Sequence, residues 1–474
     1  VTAPLWTIEA LAAAVAGRIV GPVLTEVGGL SIDSRTIVAG EAFFAILGER
    51  VDGHDYVAAA LARGAACAVV AEERLDALPE DGRYVVVDDV LAALGRLAAA
   101  ARARSAARIV AVTGSVGKTG TKEMLRAALA PSGVVHASVA SFNNHWGVPL
   151  SLARMPEDTA FGVFEIGMSA AGEITPLTRL VRPHVAIITT VVAVHSAYFD
   201  SEEAIADAKA EILLGLEPGG TAILNRDNRF FARLANAARD AGVHRILGFG
   251  ELPGADIRLV HADLGAEGSV VEAEMLATPL RWRIGAPGKH LVMNSLAVIA
   301  AAAELGADVP AAAAALADFG APAGRGARTV LAVGDGTAVL IDESYNANPT
   351  SMRAAFEVLK LAPVGPGGRR IAVLGDMLEL GEAAAELHAG LAGDLAAAGI
   401  DVVHCSGPLM RSLHAALPVA VRGAYAGESS GLESAILSDV RAGDAVMVKG
   451  SNGSRMAPIV ASLKARYAAA GKRG

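Results

Sequence analysis

The sequence predicts an α/β protein built from several units, each a sheet covered by helices. The chain has 474 residues, too many for one core, since a single domain usually takes about 100–200 residues. Its residues are 53% apolar but only 4% aromatic, so the apolar content is mostly Ala, Val, Leu and Ile, which suits helices packed on parallel sheets. Short apolar runs also alternate with helical segments along most of the chain, the rhythm of a doubly wound sheet.

In the first unit, apolar runs at 43–47, 67–70 and 84–87 surround a helical segment at 56–63, and an Ala/Arg-rich helix over 90–107 closes it. A second unit starts at Arg108, with strands predicted at 163–166, 185–194 and 221–224 and an Ala-rich helix over 291–305. Gly320-Ala321-Pro322-Ala323-Gly324 then has the Gly and Pro content of a hinge. Beyond it, runs at 338–341, 371–374, 402–404 and 445–448 alternate with helices near 351–361 and 384–397, a third unit.

Composition excludes several classes. Mean hydropathy is positive, yet the apolar stretch from 291 to 303 contains Asn294 and Ser295 and stops at Glu304, short of the roughly 20 residues a membrane span needs. No transmembrane helix and no stable membrane insertion are expected. The N-terminal stretch lacks the basic flank and apolar core of a signal peptide, and Cys67 and Cys405 cannot make a disulfide framework, so a cytoplasmic location is expected. A net charge of −9 argues against broad nucleic-acid binding, which needs a basic field. A monomer is the default expectation.

The most chemically informative stretch is Ile109-Val110-Ala111-Val112-Thr113-Gly114-Ser115-Val116-Gly117-Lys118-Thr119. Its apolar start reads as a strand covered on both faces, and Met124, Leu125 and Leu129 at helical spacing read as the helix that follows. The loop between them sits at a helix N-terminus, where unpaired N–H groups and the helix dipole attract anions. Its glycines let backbone approach phosphate, Lys118 reaches terminal phosphate oxygens, and Thr119 suits Mg²⁺. The full phosphate-loop pattern has a glycine where Val112 stands, so the motif is a shortened one, and an ordinary glycine turn is the alternative.

Three further residues stand out. Glu165 interrupts an apolar strand, where an unpaired ionised carboxylate would cost several kcal/mol, so a cation should face it, either a Lys or Arg or Mg²⁺. His195 follows the run 185–194 at the strand edge where open α/β sheets bind ligands, though a loop histidine is often merely solvated. Lys209 falls on the apolar stripe Ile205, Ile212, Leu213 and Leu216 of a helix predicted over 202–216, with Asp200 and Glu203 read as its capping box. Either it snorkels to water, or it is desolvated, with a lowered pKa and reactivity towards CO₂.

Together with further motifs in the same order, these residues resemble the Mur ligase family. The other carriers are Asp33-Ser34-Arg35, Asp52-Gly53-His54, Asn143-Asn144-His145-Trp146-Gly147, Glu165-Ile166-Gly167-Met168, Gly324-Arg325-Gly326, the stretches 342–349 and 374–381, and Val448-Lys449-Gly450-Ser451. The resemblance covers essentially the whole chain. It implies a three-domain architecture: a small α/β domain over 1–107 that binds the UDP-muramoyl peptide, a phosphate-loop ATPase domain with a parallel-rich sheet over 108–321, and a Rossmann-like domain over 322–474.

The implied activity is an ATP-dependent ligase of peptidoglycan synthesis. The stretches 344–349 and 375–381 resemble the branch that joins D-alanyl-D-alanine to UDP-N-acetylmuramoyl-tripeptide. The resemblance further implies that Gly114, Ser115, Val116, Gly117, Lys118, Thr119, Asn294, Arg325, Asp342 and Glu343 hold ATP, and that two Mg²⁺ ions lie against Thr119, Glu165, His195 and a carbamylated Lys209. Lys118, Glu165, His195 and Lys209 would then carry catalysis, and Ser34, Arg35, Asn143, Asn144, Asn346, Asn348, Lys449 and Ser451 would contact the substrates. Two departures are visible. Leu291 stands where the family has an asparagine, and Asn452 stands where an arginine often follows Lys-Gly-Ser, leaving Arg455 as a substitute. Sister amino-acid-adding ligases, folylpolyglutamate-synthase-like enzymes and a phosphate-loop switch protein are the alternatives.

Overall fold

Three large sheets and a two-stranded ribbon organise the chain in the computed structural model, which describes residues 4–22, 24–139, 141–193 and 199–468. In the first unit a five-stranded sheet runs Arg18–Val20, Tyr84–Val87, Cys67–Ala71, Glu41–Phe44 and Gly29–Ser31, parallel except for its first pair. The Val90–Arg104 helix covers it. It ends short of the predicted 107 because Ser105 is extended, with φ −95° and ψ 132°.

The central sheet has nine strands, in the order Thr278–Ile284, Gly268–Met275, Ile257–Gly265, Arg245–Gly250, Thr221–Asn225, Val185–Ile188, Arg108–Thr113, Phe161–Glu165 and Val135–Ala137. The strands from Ile257–Gly265 to Val135–Ala137 pair in parallel, and the other two join antiparallel. Alternate residues of the Arg108–Thr113 strand serve two different cores. Ile109 and Ala111 pack with helix residues Leu94, Leu97, Val148 and Leu150, whereas Val110 and Val112 pack with Met124, Leu125, Val292 and Leu296. Such burial on both faces is why this strand reads as an unbroken apolar run. The first core also runs into the first unit, through Leu11, Leu30 and Phe44.

The C-terminal sheet runs Ala327–Val333, Gly336–Glu343, Ala445–Lys449, Arg370–Gly375, Val402–Ser406 and Arg422–Ala426, parallel after an antiparallel first pair. Helices Pro349–Leu361 and Ala384–Ala397 pack on one face of it, and Ala457–Arg466 on the other. Among the described residues no helix is long and apolar enough to cross a membrane.

Two predicted elements are corrected. The run 185–194 is a strand only over Val185–Ile188. Beyond it, Thr190 accepts from the Ser115 N–H at 2.8 Å and the Val192 N–H donates to Ser115 Oγ at 3.1 Å, so this backbone serves the phosphate loop rather than the sheet. The helix predicted over 202–216 is Glu202–Ala210 followed by a tighter 3₁₀ turn over Glu211–Gly215. Its cap is Ser201, whose Oγ accepts from the Ala204 N–H at 3.1 Å, in place of the Asp200/Glu203 box.

Candidate active site

Register sets the site. In the parallel ladders Glu165 lies opposite Val112, and Ile188 lies opposite Thr113. The C-terminal ends of three neighbouring strands therefore come level, at the sheet edge where α/β folds bind ligands. The phosphate loop leaves the middle strand there. Gly114 has φ +148°, and a Cβ on it would lie 2.0 Å from Thr189 Oγ1. Gly117 has φ +88° and caps the Lys118–Leu129 helix, and a Cβ on it would lie 2.8 Å from Asn294 Nδ2. Both positions thus require glycine, and Asn294 lies against the loop at Gly117.

Glu165 is 1% exposed. Thr119 Oγ1 donates to its Oε2 at 2.7 Å and Asn143 Nδ2 to its Oε1 at 2.7 Å, while its own N–H donates to Ser138 Oγ at 3.1 Å. Its hydrogen-bond partners are therefore neutral. The expected cation is present only through the field of Lys118, which Glu165 holds more firmly protonated. Lys118 Nζ donates to the Gly114 carbonyl at 2.8 Å. Burial lowers the pKa of Lys118, and the nearby Arg325 guanidinium lowers it further, against the pull of Glu165.

Lys209 does not snorkel. It is 2% exposed, and burial, reinforced by the positive charge of Lys118, pushes its pKa well below the ordinary lysine value. Among the described residues Lys209 Nζ makes no hydrogen bond or ion pair. His195 lies outside the described residues. Among those described, no group of three His, Cys, Asp or Glu side chains is placed to hold a metal ion. The oxygen donors that do converge are Thr119 and Glu165.

The C-terminal unit reaches this edge through Arg325. Its Nη2 donates to Ser141 Oγ at 3.1 Å, and its guanidinium stacks 4.2 Å over the Tyr345 ring. Asp342 accepts from the Gly324 N–H at 3.0 Å and from Ser344 Oγ at 2.6 Å, which fixes the turn carrying Arg325. Glu343 pairs instead with Lys449, at 3.1 Å.

Other expected contact residues have local structural partners. Asn144 Oδ1 accepts from Gly147 N–H at 2.9 Å at the start of a helix. Asn348 caps the Pro349–Leu361 helix in a reciprocal box with Ser351, and Asn346 Oδ1 accepts from the Ala347 N–H at 2.8 Å. Ser451 Oγ donates to the Ala347 carbonyl at 3.3 Å and accepts from the Leu378 N–H at 3.0 Å. In the first unit Ser34 is buried and Arg35 pairs with Asp33 at 2.7 Å. Leu291, the departure from the family pattern, is buried in the core beside Leu125 and Val292.

Several residues that shape the site went unread in the sequence. Ser138 supports the Glu165 backbone, and the carbonyl of Ser138 accepts from the buried Lys122 Nζ at 2.7 Å. Asn225 Nδ2 donates to the Thr189 carbonyl at 3.0 Å, and Asn228 Nδ2 to Thr190 Oγ1 at 2.9 Å and the Val191 carbonyl at 2.8 Å. Polar residues at the C-terminal end of a predicted parallel strand were the available signal for the two asparagines.

Comparison with known proteins places this architecture. The Mur ligase family catalytic domain matches residues 26–102, the Mur ligase middle domain 112–302, and the Mur ligase glutamate ligase domain 327–452. The UDP-N-acetylmuramoyl-tripeptide–D-alanyl-D-alanine ligase of Bacillus subtilis (strain 168) is 33% identical over 465 residues, covering 96% of this chain and 98% of the relative. The chain belongs to the Mur ligase family. The ligase of the same name from Escherichia coli (strain K12) is 32% identical over 464 residues, covering 97% of this chain and 98% of its own. Among solved structures, MurF from Acinetobacter baumannii superposes with a TM-score of 0.82 at 30% identity, over 97% of this chain and 98% of that one. In this Mur ligase Val112 belongs to the strand, and the loop turns at Thr113-Gly114, where a side chain on Gly114 would collide with Thr189.

Proposed function

We propose that this chain joins D-alanyl-D-alanine to UDP-N-acetylmuramoyl-tripeptide, giving the pentapeptide precursor of peptidoglycan at the expense of ATP. The substrates are argued from the near full-length likeness to ligases of that name. The chemistry is argued from one observation: a phosphate loop whose Thr119 is hydrogen-bonded to buried Glu165, with the desolvated amines of Lys118 and Lys209 beside it. The reading carries with it a cytoplasmic monomer with domains over 1–107, 108–321 and 322–474, and Gly320 to Gly324 as the hinge.

A carboxylate is a poor electrophile at neutral pH, so it must be activated. A tripeptide carboxylate oxygen bonds to the γ-phosphorus of ATP as the bond to the ADP oxygen breaks. The dipeptide amine then attacks the acyl carbon and phosphate leaves. Bringing two anions together is the main obstacle, and Lys118 at the loop and Arg325 from the C-terminal unit supply positive charge for it. Loop N–H groups at the start of the Lys118–Leu129 helix add to this.

Mg²⁺ fits the same corner, because it takes one or two carboxylates and hydroxyl oxygens together with substrate phosphates. Thr119 and Glu165 would hold it, with His195 as the further ligand that the resemblance gives. When bound it neutralises phosphate charge and orients the transferring group. Burial and the charge of Lys118 push the Lys209 pKa well below the ordinary lysine value, which favours the neutral amine, and the lone pair of that amine can bond to the carbon of CO₂ with loss of a proton. The carbamate so formed would supply the second carboxylate that the described residues lack, for a second Mg²⁺.

The test is phosphate release measured with each substrate alone and with both. Release is expected only when UDP-muramoyl tripeptide and D-alanyl-D-alanine are present together. Release with a single amino acid in place of the dipeptide would move the chain to a sister ligase, and release with ATP alone would make it a nucleotide switch.

A further inference from the structure

The edge of the central sheet opposite the phosphate loop, where the parallel strands begin, holds a cavity of about 440 Å³. The short connection from the first unit enters the Arg108–Thr113 strand at this point. Arg102, Ser105, Arg108, Arg182, His184 and Glu217 line it.

The charges do not balance. Glu217 is the lone carboxylate in the lining, and it is shared by Arg182 at 2.6 Å and Arg102 at 3.5 Å. Arg102 is buried and fixed, its Nε donating to the Val181 carbonyl at 2.9 Å and its Nη2 to the Arg182 carbonyl at 3.1 Å. Arg108 is exposed, and its Nη2 donates to a backbone carbonyl, that of Glu304, at 3.3 Å. The Glu304 carboxylate is engaged by Arg245 and Thr221.

His184 adds a donor. Its Nδ1 accepts from the Ile109 N–H at 2.9 Å, which leaves the proton of the neutral ring on Nε2. Among the described residues that Nε2 has no partner. Burial, then Arg108 and Arg102, with a smaller push from Arg182 against the pull of Glu217, lower the His184 pKa to about 4. The cavity is thus lined by three guanidinium groups, of which Arg102 and Arg182 share the one carboxylate and Arg108 has none among the described residues, and by a ring N–H. Arginine forks match oxyanions in geometry as well as charge, and the dianion of phosphate answers the excess of positive charge better than a lone carboxylate would.

We propose that this cavity is an anion site for a phosphate-class dianion, either inorganic phosphate or a phosphate carried by a larger metabolite. A bound dianion would tie Arg102, on the last helix of the first unit, to Arg108 and Arg182 of the central unit. The site therefore braces the joint between the two units. It is independent of the ligase reading, because it shares no residue with the phosphate loop.

The test follows the His184 ring by NMR in the full chain, its signal assigned with His184→Gln. Inorganic phosphate, ADP and, at matched ionic strength, potassium chloride are the titrants. The expected result is a saturable shift with phosphate or ADP and an upward move of the His184 titration midpoint from about 4, since a nearby anion favours the imidazolium. A response to inorganic phosphate identifies the free ion as the source, and a response to ADP alone identifies a carried phosphate. Arg108→Gln with Arg182→Gln, both at exposed positions, should weaken the response at least about tenfold, the scale of losing charge-assisted hydrogen bonds. No shift, an equal shift with chloride, or an undiminished response in the double variant would overturn the site.

Discussion

Lys209 in the central unit and Lys449 in the C-terminal unit are equally buried, each 2% exposed, yet their surroundings are opposite. Lys449 Nζ has Glu343 at 3.1 Å and the Asn346 carbonyl at 3.0 Å. Lys209 has no such partner among the described residues, and its charged neighbour is another cation, Lys118. A buried ammonium is tolerated where a carboxylate and a carbonyl surround it. Where they are missing, the amine loses its proton and becomes a nucleophile. Burial alone therefore says nothing about role; the partner decides whether a lysine is scaffold or chemistry.

The largest expected effects break that contrast at its reactive side. Lys209→Ala should be nearly inactive in phosphate release and partly rescued by added formate or acetate, which replace the missing carboxylate. Full activity without rescue would return Lys209 to a space-filling role. Lys118→Ala should lower turnover at least about a hundredfold, as expected for removal of a main electrostatic stabiliser. Its thermal midpoint should stay near that of the parent, which separates lost chemistry from lost fold.

Stability should show the reverse ranking. Lys449→Ala strands Glu343 beside a cavity and should cost about 3 kcal/mol in denaturant unfolding, typical of breaking one partner of a buried pair. Lys209→Met, in CO₂-free buffer, should instead stabilise the chain at neutral pH. The sign follows from proton counting. The folded pKa of Lys209 is lowered, so between that value and the ordinary lysine value the unfolded chain holds a proton the folded one lacks, and parent stability rises with pH. The advantage of Lys209→Met should therefore shrink as pH rises towards about 10, by at most about 1.4 kcal/mol per unit. An advantage that is flat with pH would mean that Lys209 stays protonated in the fold.

The same contrast explains what the sequence could reveal. The phosphate loop was legible because strand, glycines, lysine and helix are contiguous, and local physics fixes their arrangement. Glu165 was legible as an oddity, a carboxylate in an apolar strand, but its neutral partners Thr119 and Asn143 come from segments 46 and 22 residues away. Lys209 had two readings of equal form, because a helix stripe does not reveal what packs over it. Lys449 was recognised by motif as a substrate contact, while its pairing with Glu343 depends on the register of two strands far apart in sequence. The end of the 185–194 run differs for a related reason: beyond Ile188 its backbone at Thr190 and Val192 bonds to a loop that only the fold brings alongside.

The smallest expected effect tests how finely the Glu165 corner is set. Ser138 Oγ accepts the Glu165 N–H at 3.1 Å, and Ser138 is itself 2% exposed. Ser138→Ala leaves that N–H without its acceptor and should cost about 1–2 kcal/mol in stability. Activity is the sharper readout. If Ser138 only completes the strand end, turnover at saturating Mg²⁺ and the Mg²⁺ concentration for half-maximal rate should both match the parent. If it positions Glu165, the carboxylate drifts from Thr119, and half-maximal rate should require several times more Mg²⁺ while saturated turnover recovers. The geometry favours the second outcome, since the strand bearing Glu165 ends at that residue and the serine hydroxyl holds its N–H on the side away from the ladder to Val112.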